Sequence, residues 1–365
     1  MLDHRLRKNL DLPLLLIALA LFAIGIVTLI SATRGGDGAY LRKQLVLGAA
    51  GLVLMFAAAS VDCSRLDRWV RSLYVVMIVL LLIVLRLGAE SHGAQRWISV
   101  SGWQFQPSEF AKIVAALGLA AFLHRRRDRI DEPVVLLSSL AYIGVPTLLI
   151  FAQPDLGTAL VLIAIWLNVA FVAGARLSHL AAVVIAGLAL FTIAWNANII
   201  KPYQKARLVA FVDPSLDPAD AGYHVRQSRI AIGSGQVWGK GFMKGTQVQG
   251  RFIPENHTDF IFTVIGEEGG FVASALTVAL FAGLLLRGYL TAARAGDDLS
   301  RLVAAGIVGM WSFHVIVNIG MTLGVMPVAG VPLPFVSYGG SSLLLNLAAL
   351  GLLLSIGMRR HKLVF

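Results

Sequence analysis

Four short polar segments interrupt an apolar chain, and each carries side chains suited to proton transfer, ion pairing or anion binding. In Arg251-Phe252-Ile253-Pro254-Glu255-Asn256-His257-Thr258-Asp259-Phe260, Asp259 stands where a polar loop meets an apolar run. An aspartate there either caps the following helix beside Thr258 or presents a carboxylate to a reaction. His257 lies two residues earlier, but no second histidine is at ligand spacing, so a zinc site is not expected. In Gln106-Pro107-Ser108-Glu109-Phe110-Ala111-Lys112, Pro107 suits a first helical turn, and Glu109 and Lys112 share a face and can pair. Such a pair either only orients its helix or serves a function, and both readings stay open. Gln153-Pro154-Asp155-Leu156-Gly157-Thr158 sets Asp155 to cap the next helix. Ser337-Tyr338-Gly339-Gly340-Ser341-Ser342 opens the last apolar stretch. Its free amides suit an anion such as pyrophosphate, and its glycines equally suit close helix packing. The Gly-x-x-x-x-Gly-Lys-Ser/Thr phosphate loop and the Gly-x-Ser-x-Gly nucleophile elbow are both missing.

These segments need elements that bring them to one face. With 57% hydrophobic and 14% charged residues and a mean hydropathy of +0.77, the chain carries more apolar surface than a soluble fold hides. Apolar stretches of bilayer-crossing length predict helices at about 13–32, 44–60, 70–87, 107–123, 134–152, 156–173, 178–199, 270–292, 301–323 and 338–358. The expected fold class is therefore all-α: a polytopic membrane protein, one integral domain over 1–365 with a large extracytoplasmic loop at 201–258. The first stretch follows His4, Arg5, Arg7 and Lys8 but is too long for a signal-peptide core, so it reads as an uncleaved span. Cys63 is the only cysteine, which excludes an intrachain disulfide and cysteine-based metal sites.

The net charge of +11 is dispersed through short loops and never gathers on one soluble face, so no nucleic-acid partner is expected. Arginine and lysine instead concentrate on one side: Arg5, Arg7 and Lys8, Arg65, Arg68 and Arg71, Arg125 to Arg129, Arg176, Arg287, Arg294 and Arg301, and Arg359, Arg360 and Lys362. The opposite short loops hold only Arg34, Arg42, Lys43, Arg86 and Arg96, which predicts that both termini are cytoplasmic. Within 201–258, Asp213-Pro214-Ser215-Leu216-Asp217-Pro218 has turn chemistry. The stretch 223–232 suits a short helix lying on the membrane surface, and glycines at 233, 235, 239, 241 and 245 favour irregular backbone.

Taken in order, Gly93-Ala94-Gln95-Arg96-Trp97 with Gln106-Pro107-Ser108-Glu109, then the segments around Asp155, Asp259 and Ser337, resemble the SEDS family. These are the shape, elongation, division and sporulation proteins of bacterial cell-wall synthesis. Gly330-Val331-Pro332-Leu333-Pro334 and Gly241-Phe242 through Gly245-Thr246-Gln247 look like its RodA elongation branch, with the FtsW division branch as the alternative. Gly269, after Glu267-Glu268, departs from the bulky apolar residue of the pattern and bears on local helix geometry.

The resemblance implies a glycosyltransferase that polymerises lipid II at the outer face of the bacterial cytoplasmic membrane. It also implies a class B penicillin-binding protein transpeptidase as partner within the elongation complex. Asp259 would be the essential carboxylate, a base if burial raises its pKa. Glu109 and Lys112 would shape the cavity or neutralise phosphate charge, with Arg96, Asp155, His257, Ser337, Gly339 and Gly340 as substrate-binding or supporting positions. A divalent cation, magnesium or manganese, would suit the pyrophosphate, although no complete carboxylate cage is visible in the sequence. A lipid II flippase and a scaffold that only recruits a synthase are the rivals. Polar segments gathered outside, against short basic inner connections, favour surface catalysis over alternating access.

Overall fold

The computed structural model describes residues 9–36, 38–91, 94–100, 103–198, 200, 202–213 and 221–359. His4, Arg5, Arg7 and Lys8, Gly93, the turn expected at 214–218, and Arg360 and Lys362 lie outside the described residues.

In chain order the helices are α1 (Leu12–Ala32), α2 (Ala39–Ser60), α3 (Cys63–Leu87), α4 (Pro107–His124), α5 (Pro133–Ala152), α6 (Leu156–Val172) and α7 (Leu177–Asn196). They continue with α8 (Pro202–Val212), α9 (Ala221–Ser234), α10 (Thr246–Gln249), α11 (Ile261–Ala293), α12 (Asp298–Leu323) and α13 (Gly340–Met358). The protein is a helical, polytopic membrane protein, and a helix stands at each of the ten expected span positions. Local chemistry sets the ends: Asp11, Asp62, Asp155 and Asp297 each accept an amide hydrogen bond as N-caps, and Gly324, at φ 75°, closes α12 in the left-handed conformation.

Eight of these helices are long and apolar enough to cross a bilayer. Of the two others, α4 is enclosed by neighbouring helices, whereas α6 is shorter than the eight, buries nine of its 17 residues and exposes Leu160 and Phe171. Helix α4 packs against α3, α6 and α12 and buries nearly every residue, which is why it can carry Glu109 and Lys112. Helix α7 is the opposite case: Leu180 is its one buried residue, and the rest of its apolar surface faces outward.

Three features differ from the sequence expectation. Between α3 and α4 lies a small antiparallel sheet, β1 (Ala89–Ser91), β2 (Ala94–Val100) and β3 (Trp103–Phe105), so this end of the bundle is not purely helical. The long loop contains α8, for which the sequence offered no expectation, and the helix expected at 223–232 runs from Ala221 to Ser234. Helix α11 begins well before residue 270 and is broken at Gly270, whose φ 66° and ψ −162° are open essentially only to glycine.

The break is filled by the loop around 235–241. Phe271 and Val272 donate backbone bonds to Gln236 and Val237, while Lys240 and Gly241 donate to the Glu267 and Glu268 carbonyls. A side chain at Gly270 would collide with the Gly239 amide. The Glu267 and Glu268 side chains then fasten the same loop. Glu267 accepts from Lys240 Nζ (2.8 Å), Gln247 N (2.9 Å) and Val248 N (3.0 Å), and Glu268 from Ser31 Oγ (2.6 Å) and Met243 N (3.1 Å). Two buried carboxylates thus replace the ladder bonds that an irregular loop lacks.

Candidate active site at one end of the bundle

The polar segments converge where α4, α6 and α13 begin and where the loops 254–260 and 330–338 cross. Consecutive carbonyls of the aspartate-bearing loop are each held by a different donor. Tyr338 N donates to His257 O (2.9 Å), Ser337 Oγ to Thr258 O (2.6 Å), and Asn318 Nδ2 to Asp259 O (2.9 Å). The backbone of Asp259 is therefore fixed while its side chain stays uncommitted to helix capping. The N-cap of α11 is Phe260, with no side-chain capping bond, so the capping alternative for Asp259 does not hold.

Asp259 is partly buried, and its surroundings alternate in sign. Burial, then the nearby Glu255, pushes its carboxyl from 3.8 up to about 6; Arg207 opposes this, Asp155 adds to it, and Arg96 opposes it. A carboxylate in that range is matched to proton transfer near neutral pH. A Cβ placed on Gly330, at φ 66°, would lie 3.5 Å from Asp259 Oδ2 and 3.8 Å from Arg207 Nη1, so both side chains border the same turn. Arg207, on α8, was not singled out in the sequence. Nothing in its spacing marks it, because only the path of α8 brings it to Asp259.

The remaining expected residues fall around this centre. Asp155 caps α6 as anticipated, accepting from Thr158 N (3.2 Å) and Thr158 Oγ1 (3.0 Å), and it also accepts from Gln106 Nε2 (3.2 Å). Arg96, from β2, lies 3.9 Å from Asp155 and donates to the Gln153 carbonyl (3.2 Å) and to the Pro154 carbonyl. The His257 ring sits 4.8 Å from Tyr40 and 5.7 Å from Tyr338, and burial lowers its pKa against the pull of Glu255. Ser337 spends its hydroxyl inside the protein, donating to Thr258 O and accepting from Leu333 N (2.8 Å). Gly339 is the N-cap of α13, and Gly340 lies against α2: a Cβ there would stand 2.6 Å from Leu47 Cδ1, which makes helix packing its evident duty.

Deeper in the bundle, Lys112 Nζ donates to Glu109 Oε1 at 2.8 Å, with both side chains buried. Lys112 Nζ is also 3.1 Å from His314 Nε2, a contact the sequence reading missed. The signal was present: His314 and Asn318 are polar, four residues apart, and share one face of an apolar helix. No cluster of three His, Cys, Asp or Glu side chains suited to hold a metal by itself occurs among the described residues. The positive charge acting on the Asp259 carboxyl comes from arginines, Arg207 and then Arg96. A cation that bridges a pyrophosphate takes only one or two carboxylates and completes its shell from phosphate and water, so the divalent cation stays an expectation and no chemical step is assigned to one.

Comparison with known proteins agrees with this geometry. MrdB of Escherichia coli K12, named a peptidoglycan glycosyltransferase, is 41% identical over 98% of this chain and 96% of its own. RodA of Treponema pallidum, similarly named, is 34% identical over 97% of this chain and 98% of its own. A solved chain from a peptidoglycan synthase complex, described as coordinating polymerization and crosslinking, superposes with a TM-score of 0.81 at 35% identity, covering 97% of this chain and 99% of that one. The crystal structure of Thermus thermophilus RodA gives 0.72 at 32% identity, over 97% and 98%. The family model built on FtsW, RodA and SpoVE, described as cell cycle protein, matches residues 11–362. With nearly its whole length matched, the chain belongs to the FtsW, RodA and SpoVE family.

Proposed function

We propose that this chain is a peptidoglycan glycosyltransferase that polymerises lipid II during cell elongation, with Asp259 as the general base. The observation that carries the reading is a partly buried carboxylate, spared from capping, held by a fixed backbone and flanked by Arg207 and Arg96. Asp259 takes the proton from the 4-hydroxyl of the acceptor sugar as that oxygen attacks the anomeric carbon of the donor. The bond from that carbon to the phosphate oxygen breaks, and the lipid pyrophosphate leaves with the electron pair. Arg207 and Arg96 offset the charge that develops on the leaving group. Pyrophosphate leaves readily once stabilised, so a second carboxylic acid is not needed, unlike in most glycoside hydrolases. Glu109 and Lys112 act as internal support rather than as direct substrate ligands, because both are buried and satisfied by protein partners.

The same reading sets the site at the outer face of the bacterial cytoplasmic membrane, with both termini cytoplasmic, and supplies a class B penicillin-binding protein as partner. The purified chain, alone and with such a partner, incubated with lipid II decides between the alternatives. Glycan strands on a gel are the expected product. Movement of labelled lipid between leaflets without strands would instead identify a flippase.

A further inference from the structure

We propose that His314 and Asn318 are positioning residues, a buried polar spine on α12 that couples the Glu109–Lys112 pair to the backbone carrying Asp259. This rests on the reading of Asp259 as the base. The spine runs without a gap. Lys112 Nζ contacts Glu109 Oε1 at 2.8 Å and His314 Nε2 at 3.1 Å; His314 Nδ1 contacts the Pro332 carbonyl at 2.8 Å. One turn further along α12, Asn318 Nδ2 donates to the Val331 carbonyl at 2.8 Å and to the Asp259 carbonyl at 2.9 Å. The two side chains thus grip adjacent carbonyls of the loop that borders Asp259 at Gly330.

Chemistry fixes the proton on His314. An ammonium group only donates and a carbonyl only accepts, so Nε2 must be the acceptor and Nδ1 must carry the hydrogen. A second proton would set a donor against the Lys112 donor. His314 is therefore held neutral, in one tautomer, by partners on both sides. The arrangement is enclosed: Glu109, Lys112, His314 and Asn318 are each at most 3% exposed. In so enclosed a network each member holds the next, so displacing Lys112 or Glu109 shifts His314, and through it Pro332 and the adjoining Asp259 turn. The buried ion pair then has a clear duty, setting the position of a loop that carries the reactive carboxylate.

The test uses the full chain with its partner and lipid II, in five variants. His314→Leu is expected to lower kcat about 10–100-fold with KM within about 3-fold, and to move the acid limb of the pH–rate profile, because Asp259 shifts relative to Arg207. His314→Gln, whose amide offers an acceptor to Lys112 and a donor to Pro332, is expected to recover at least about 10-fold of that loss. Asn318→Ala carries the same expectation as His314→Leu and takes its place if the leucine variant does not fold. Adding His314→Leu to Asp259→Asn is expected to cost little more than Asp259→Asn alone. Additive losses, an unmoved acid limb, or no recovery with glutamine would overturn the spine while leaving Asp259 as the base. Near-parental activity of Asp259→Asn alone would instead overturn the assignment of the base, a separate outcome in the same experiment.

Discussion

Replacing Asp259 by asparagine separates chemistry from structure, because the two effects are expected to run in opposite directions. The carboxyl is raised from 3.8 to about 6, mainly by burial, so keeping it ionised costs the fold free energy. At 1.36 kcal/mol per pH unit the displacement corresponds to about 3 kcal/mol, and partial solvent access brings the expected figure to about 1–3 kcal/mol. The sign follows from linkage. The penalty is absent below the unfolded value of 3.8, grows between 3.8 and about 6, and is fully present above that. Asp259→Asn is neutral throughout, so the variant is expected to be more heat-stable than the parent near pH 7.5 by about that 1–3 kcal/mol and indistinguishable near pH 4. Since Asp259 makes no capping bond, no cap is lost in the exchange. An amide cannot take the hydroxyl proton, so glycan synthesis from lipid II is expected to fall roughly 10²–10⁴-fold. The assay is a pair of measurements on one preparation, thermal unfolding in detergent at both pH values and strand synthesis on a gel. A variant that polymerises at close to the parental rate, or that loses stability at neutral pH, refutes the reasoning.

The parental rate itself is expected to decline as pH falls through about 6, the value at which Asp259 takes up its proton. Arg207→Ala removes a cation that holds that carboxyl down, so this midpoint is expected to rise by about 1 pH unit, and Arg207→Lys to restore it; a pH–rate series checks both, and an unmoved midpoint separates Arg207 from the site. Gly270→Ala forces a left-handed residue and a clash with the Gly239 amide, for an expected loss on the order of 1–3 kcal/mol in thermal unfolding, whereas Gly187→Ala, with open space around it, is expected to stay within about 0.5 kcal/mol. In a Cys63→Ala background, a cysteine in place of Trp238, which is 81% exposed, is expected to react with a membrane-impermeant reagent on intact spheroplasts, and protection there would invert the topology.

Much of the bundle could be read directly, because a span announces itself by length and apolarity alone. The Asp155 cap and the Glu109–Lys112 pair were also legible, since both depend on residues three apart in one helix. The three-stranded sheet before α4 was not, as its strands are short and lie beside far stronger helical signals. Arg207 reaches Asp259 only through the tertiary path of α8, so no local spacing discloses it, whereas Glu255 stands four residues before Asp259 in the same segment and its effect on that carboxyl could have been read locally. Glu267 and Glu268 read as unexplained charges at the start of an apolar run; their partners lie up to 27 residues upstream for Glu267 and as far back as Ser31 for Glu268. Gly269 carried a hint that was half understood. The departure does mark irregular helix geometry, but the left-handed residue is its neighbour Gly270.

The three consecutive carbonyls at His257, Thr258 and Asp259 have a consequence for how this loop can change over evolutionary time. Each is matched to its own donor, Tyr338 and Ser337 before α13 and Asn318 on α12, so the segment engages its neighbours like teeth in a zipper. Point substitutions of the side chains at 257 and 258 leave those bonds in place. Insertion or deletion of a single residue anywhere from 257 to 259 does not, since it slides the chain by about 3.8 Å and breaks the match at every later tooth. Apart from the carboxylate of Asp259 itself, length rather than residue identity is what this stretch must preserve.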